Sequence, residues 1–187
     1  MAKAEKDKIH YVDNKEFLKA MKEHRKAFLK SKKEGTPKPR VSEYIGECIL
    51  KIAQKLANKS NFINYTFRED MINDGIENCL MYINNFNPNK SKQPFAYFTQ
   101  IVYYAFIRRI AREKKHLYTK FKMIEQAMTN DFFETNEDSP VNAPTKYGSE
   151  HSNNYMHEFM DNFEKHKNEK KAKTTKKKKK SLEKFLE

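Results

Sequence analysis

The chain has 187 residues, a formal net charge of +13 and a mean hydropathy of -1.00, with 34% of its residues charged. That length holds one ordinary domain plus tails, and with no apolar run near ~20 residues and no apolar leader a soluble, intracellular protein is expected. The charge is uneven, +7 over residues 1–40, +4 over 41–116, −5 over 117–163 and +7 over 164–187, which suggests a polyanionic partner with something that limits indiscriminate contact.

Residues 13–31 read as a first helix, with Asp13 and Glu16 at capping-box spacing and Phe17, Met21, His24 and Phe28 on one face. GTPKP at 35–39 breaks that pattern. A second helix over 43–58 buries Ile45, Cys48 or Ile49, Ile52 and Leu56. Thr66 and Glu69 again have capping-box spacing and open a third helix reaching about Phe86, with a core stripe of Ile72, Ile76, Cys79, Leu80 and Ile83. NPNKSKQ at 87–93 is a turn, and Pro94 suits the first position of a fourth helix. Four helices with short connections and no alternating strand pattern predict an all-α domain over roughly 10–116. Beyond about 125 periodicity fades. Residues 136–154 read as loop or disorder, 154–170 as a short helix around Tyr155, Phe159 and Phe163, and KAKTTKKKKK as a basic tether. The terminal SLEKFLE restores Leu182, Phe185 and Leu186 at helical spacing.

Two helix faces carry chemistry. On the fourth helix Phe95, Phe98, Val102, Ala105 and Phe106 form a core stripe, with Tyr97, Gln100, Tyr104 and Arg108 opposite. Tyr103 points about 100° away and fits either face. Arg109, Arg112, Lys114 and Lys115 follow. Flat rings beside fixed positive charge hold unstacked bases, each worth ~1–3 kcal/mol, so a single-stranded nucleic acid is the expected partner. The competing reading is that a second helix covers these rings. On the third helix Asp70, Asn73, Asp74 and Glu77 form a polar stripe. A solvated face is its simplest reading, and a docking surface for a basic partner the second. Cys48 and Cys79 sit on apolar faces and read as buried thiols, and no histidine has metal-ligand spacing with them. With no nucleophile–base pair, phosphate-cradling glycine loop or metal set, a protein without enzymatic activity, cofactor or metal is expected.

The run DMINDGIENCLMYINNFNP followed by KQPFAYFTQIVYYAFIRRI resembles region 2 of the sigma-70 family of bacterial transcription initiation factors. Asp70 to Gly75 match the family's D-L-I-Q-E-G segment, Phe86 stands at the F of its D-K-F-D turn, and Tyr97 falls on the aromatic that stacks on the flipped minus-ten adenine. Across the chain, YVDNKEFLKA at 11–20, FINYTFREDMINDGIE at 62–77 and the terminal SLEKFLE are similar to the late-transcription sigma factors of T-even-type bacteriophages. The resemblance implies a small helical bundle with a largely disordered C-terminal tail. It divides the chain into an N-terminal helix or arm (1–40), a region 2-like domain (41–120), an acidic then basic linker (121–180) and a clamp-binding peptide (181–187).

It further implies that Asp70, Asn73, Asp74 and Glu77 dock on the coiled coil of the largest subunit of the host RNA polymerase core. Tyr97, Gln100, Tyr103, Tyr104, Arg108, Arg109 and Arg112 would contact a melted minus-ten-type late promoter element. Leu182, Phe185 and Leu186 would enter a groove of the phage sliding clamp, and a separate late co-activator would bind the same polymerase. The setting would be the cytoplasm of the infected bacterium. The family's tandem tryptophans fall on Gln100 and Ile101, its base-reading glutamine on Tyr104, and no second promoter-reading domain follows. The wedge at the upstream edge of the bubble is therefore expected to be weaker or supplied differently. Two other classes fit the same residues: a general single-strand nucleic-acid binder, and an adaptor that joins clamp and polymerase without touching DNA.

Overall fold

The structure, a computed structural model, describes the backbone of residues 11–134 and 150–186, and the side chains of 11–127 and 153–175. Among these residues the chain forms α1 (Asn14–Glu34), α2 (Glu43–Ala57), α3 (Arg68–Tyr82), a single 3-10 turn (Ile83–Asn85), α4 (Pro94–Glu134) and α5 (Glu150–Leu186). The fold is all-α, with no strand among the described residues. The chain divides into two compact units after Ile110.

In the first unit, local chemistry sets the helix ends. Asp13 is extended and its carboxylate accepts from the Lys15 and Glu16 amides, which starts α1. Gly35, at φ 67°, ends it, its amide donating to the Ser31 carbonyl from a left-handed conformation that favours glycine. Pro94 opens α4 as expected. The capping box expected from Thr66 and Glu69 does not form. Phe67 takes the cap position without a side-chain hydrogen bond, and Glu69 instead lies 3.7 Å from the Arg68 guanidinium.

One apolar core joins all four helices. Phe17 and Met21 of α1, Ile45, Ile49 and Ile52 of α2, Met71 and Cys79 of α3, and Phe98, Val102 and Phe106 of α4 are each at most 1% exposed. Helix α1 is therefore part of this domain, and the division expected at residue 40 is not a structural boundary. Its Phe17 ring stacks on Phe98 with centroids 5.4 Å apart. Polar ties reinforce the join. The His24 Nε2 lies 3.2 Å from the Asn84 Oδ1, Arg25 donates to the Asn84 and Phe86 carbonyls, and the Phe95 amide donates to the Asn14 Oδ1 at 3.3 Å.

The core stripe of α3 is rotated from its expected position. Leu80 is 44% exposed, and Met71 and Gly75 are buried instead. A Cβ on Gly75 would lie 3.1 Å from Val102 Cγ1 and 3.2 Å from Phe106 Cε1. α3 thus packs close against α4 at a residue with no side chain, which hydropathy patterning does not register.

The second unit holds the rest of α4 and α5. The helix expected at 154–170 is present within a longer one, Glu150–Leu186, and α4 continues to Glu134, so helix covers 121–134 and 150–180 where a mostly disordered linker is expected. The expected loop at 136–154 lies outside the described residues except for 150–154, which are helical. Neither helical stretch contains glycine or an internal proline, and Lys, Glu, Gln, Met and Ala are good helix formers. The tyrosines and phenylalanines then supply a packing stripe. Tyr118 stacks on Phe163 with centroids 4.6 Å apart, and Phe121 meets Phe159 edge-on at 5.6 Å. Met156 and Met160 are buried. The Tyr118 hydroxyl donates to the Glu164 carboxylate at 2.6 Å, and Lys122 pairs with Glu125 at 2.9 Å.

Candidate nucleic-acid interface

Burial of Phe98, Val102, Ala105 and Phe106 fixes the rotation of α4 about its axis. Residues 97, 100, 104 and 108 must then face the other way. They converge as the sequence spacing predicts: Tyr97, Gln100, Tyr104 and Arg108 line one open cleft of about 190 Å³ with Ile101 and Tyr82. Tyr82 and Ile101 are the additions that spacing did not supply. The available signal for Tyr82 was a large ring off the core stripe of α3, one turn before a break; it is 46% exposed.

The rings in this cleft are not equivalent. Tyr97 is half-buried; its hydroxyl donates to the Tyr82 carbonyl at 3.1 Å and its ring lies 5.2 Å from Phe86. Burial raises its hydroxyl pKa above the usual tyrosine range. Tyr97 therefore forms a fixed wall of the cleft. Tyr104 is 52% exposed, the most accessible ring of the set. Tyr103 leans away, edge-on to Phe62 at 5.8 Å and to Tyr104 at 5.7 Å.

The arginines separate just as sharply. Arg108 is exposed and donates to the Asn78 Oδ1 at 2.7 Å, one of the five N–H donors that its guanidinium carries. Arg109, one residue and about 100° further round, turns back to α3. Its guanidinium reaches Asp70 at 2.9 Å and Asp74 at 3.5 Å, and its side chain is only 19% exposed. A residue expected on nucleic acid thus pairs with two that the resemblance assigns to polymerase, leaving one net negative charge among the three. Asn73 and Glu77 form the exposed remainder of that stripe, and Asp70 stays 55% exposed while paired. Arg112 is exposed and belongs to the second unit. The backbone of Leu182, Phe185 and Leu186 lies on α5, and their side chains are outside the described residues.

A larger cleft, about 570 Å³, lies where α1 and α4 begin, lined by Val12, Asp13, Asn14 and Phe95 among others. Two of its polar side chains serve the caps of those helices, with Asp13 held by two amides and Asn14 by the Phe95 amide. Both cysteines are buried free thiols, and burial pushes Cys79 up to about 12, which keeps it protonated at neutral pH. Among the described residues no group of His, Cys, Asp and Glu is placed to hold a metal ion, and no helix is long and apolar enough to cross a membrane. Neither protein-family models nor curated proteins give a match to this chain.

Proposed function

We propose that this chain is a phage late sigma factor that joins the host RNA polymerase core and holds one strand of a melted minus-ten-type promoter element. The reading is carried by one observation: rings, an amide and a guanidinium from α3 and α4 share a cleft without a lining carboxylate. Tyr104 supplies an accessible stacking face, Gln100 both donors and acceptors for a base edge, and Arg108 a charge for phosphate. A cleft of this volume is below the ~300–1,000 Å³ of small-molecule sites and suits a single flat ring.

In this reading the polymerase docks on the outer edge of α3, through Asn73, Glu77 and the free face of Asp70. The strand runs along α4 past Tyr104 and Arg108, and Leu182, Phe185 and Leu186 anchor the chain to the sliding clamp. The clamp anchor raises effective concentration near the promoter without any new contact to it. A co-activator bound elsewhere on the polymerase completes the set of partners. The chain itself catalyses nothing here; it binds and positions.

Co-purification with core polymerase, followed by run-off transcription on phage late templates with and without clamp, tests this directly. Retention on core and clamp-stimulated run-off are expected, and removal of residues 181–187 should abolish the stimulation while sparing basal initiation. The runner-up, a general single-strand binder, gains support from the Arg109 pairs, because they withdraw charge from the stripe that would dock polymerase. It predicts strand binding without retention on core.

A further inference from the structure

A base stacked on the exposed Tyr104 ring has a second face to cover. We infer that Tyr82 is a second stacking wall, so that the cleft grips one nucleobase between a ring from α3 and a ring from α4. The inference deepens the strand-binding reading given above and depends on it. Tyr82 is the last residue of α3 and lines the same cleft as Tyr104, and the two are 46% and 52% exposed. Tyr82 lies off the buried set of α3, which is Met71, Ile72, Gly75 and Cys79, so about half of its surface is open to a ligand.

The position is built rather than incidental. The Tyr82 carbonyl accepts the Tyr97 hydroxyl, which ties the end of α3 to α4 just where the cleft opens. The 3-10 turn that follows is held from below by His24 and Arg25 through Asn84, so the ring is presented by an anchored backbone. Gly75 contributes further, since the close approach of α3 to α4 sets how far apart the two helices stand. Ile101 contributes the apolar floor of the cleft lining, which Gln100 and Arg108 share. That combination fits an uncharged planar heterocycle with hydrogen-bonding edges attached to a phosphate, meaning a base of a single strand. It does not fit a free anion, which the apolar floor would desolvate at cost.

The test measures binding of the full chain to a short labelled oligothymidylate, and to an abasic strand of the same length, by fluorescence anisotropy at fixed salt. Tyr82→Ala keeps the backbone carbonyl that Tyr97 uses, and alanine is a good helix former, so the fold is expected to survive; a circular dichroism melt checks this. Tyr82→Ala should weaken oligothymidylate binding about 5- to 150-fold, as loss of one stacking partner does, and leave abasic-strand binding unchanged. Tyr82→Phe should bind like the parent, and Tyr82→Leu should fall between. An equal loss on both strands would mean a structural role and overturn the inference. Parent-like binding by Tyr82→Ala with a loss in Tyr104→Ala would overturn it too, while leaving the strand-binding reading in place. If neither substitution changes binding, or the parent does not bind, both fall. An oligouridylate arm decides whether the strand held best is DNA or RNA.

Discussion

Phe17, Phe98 and Phe106 in the first unit lie among four helices and are wholly buried, whereas Tyr118, Phe121, Phe159 and Phe163 in the second are half-buried between two. The rings are of the same kind, but the number of elements that surround them differs. A two-helix hairpin can cover one side of an aromatic stripe and leaves the other to solvent, so each ring recovers part of the ~1.5–3 kcal/mol that full burial provides. The first unit is therefore expected to unfold as one cooperative block. The second should open at lower free energy, with its amides exchanging earlier.

The largest effect should come from deleting a ring in the four-helix core. Phe106→Ala is expected to cost about 3–5 kcal/mol and to lower the main thermal transition sharply, whereas Phe163→Ala should leave that transition in place and speed exchange in α5 alone. Equal shifts of the main transition would erase the distinction between the units. Next is the ion-pair cluster of α3 and α4. Arg109→Gln strands Asp74, whose side chain is 23% exposed, and should cost about 1–2 kcal/mol in chemical denaturation. The same variant should tighten retention on core polymerase, because Asp70 loses its internal partner. Unchanged retention would separate Asp70 from docking.

Gly75→Ala sets two effects against each other. Alanine gains about 1 kcal/mol of helix propensity, but the new methyl presses on Val102 and Phe106, both 0% exposed, at a cost of about 1–3 kcal/mol. A net loss on the order of 1 kcal/mol is expected, and a gain would show that α3 and α4 can move apart freely. The buried thiol gives a pH signature. Cys79 has its pKa raised to about 12 in the folded chain, above the ~8.5 of an ordinary thiol. The folded state thus holds this proton more tightly than the unfolded chain. The stabilisation is complete below about pH 8.5 and is lost as pH rises from there toward 12, by about 1 kcal/mol per pH unit. Urea midpoints at pH 7 and pH 10 read this, and Cys79→Ala should flatten the decline. The smallest effect belongs to the hairpin: Tyr118→Phe removes the bond to Glu164 and should slightly speed amide exchange in α5 while leaving the main transition unmoved.

Legibility in the sequence followed the same division. In the first unit the 3.6-residue period located all four helices, and Phe98, Val102, Ala105 and Phe106 fixed the outward set on α4. Two features escaped. Gly75 carries no hydropathy, so the α3 stripe was centred too near Leu80. Arg109 was grouped with its neighbours by charge, although one residue along a helix is a large rotation and its partners lie on another element. In the second unit the low hydropathy of the lysine-rich stretch concealed a helical backbone that propensity alone favours. For Tyr82 the sequence offers only a large ring off the core stripe of α3, since a cleft between two helices is a property of their packing and not of either period.

The most direct test of the account is thymine reactivity to permanganate on a phage late promoter, with core polymerase and clamp present, comparing the parent chain with Tyr104→Ala. The account predicts that Tyr104→Ala still co-purifies with core yet loses most of the promoter-specific thymine reactivity. Parent-level reactivity with Tyr104→Ala would contradict it, because the most exposed ring of the cleft would then play no part in holding the strand.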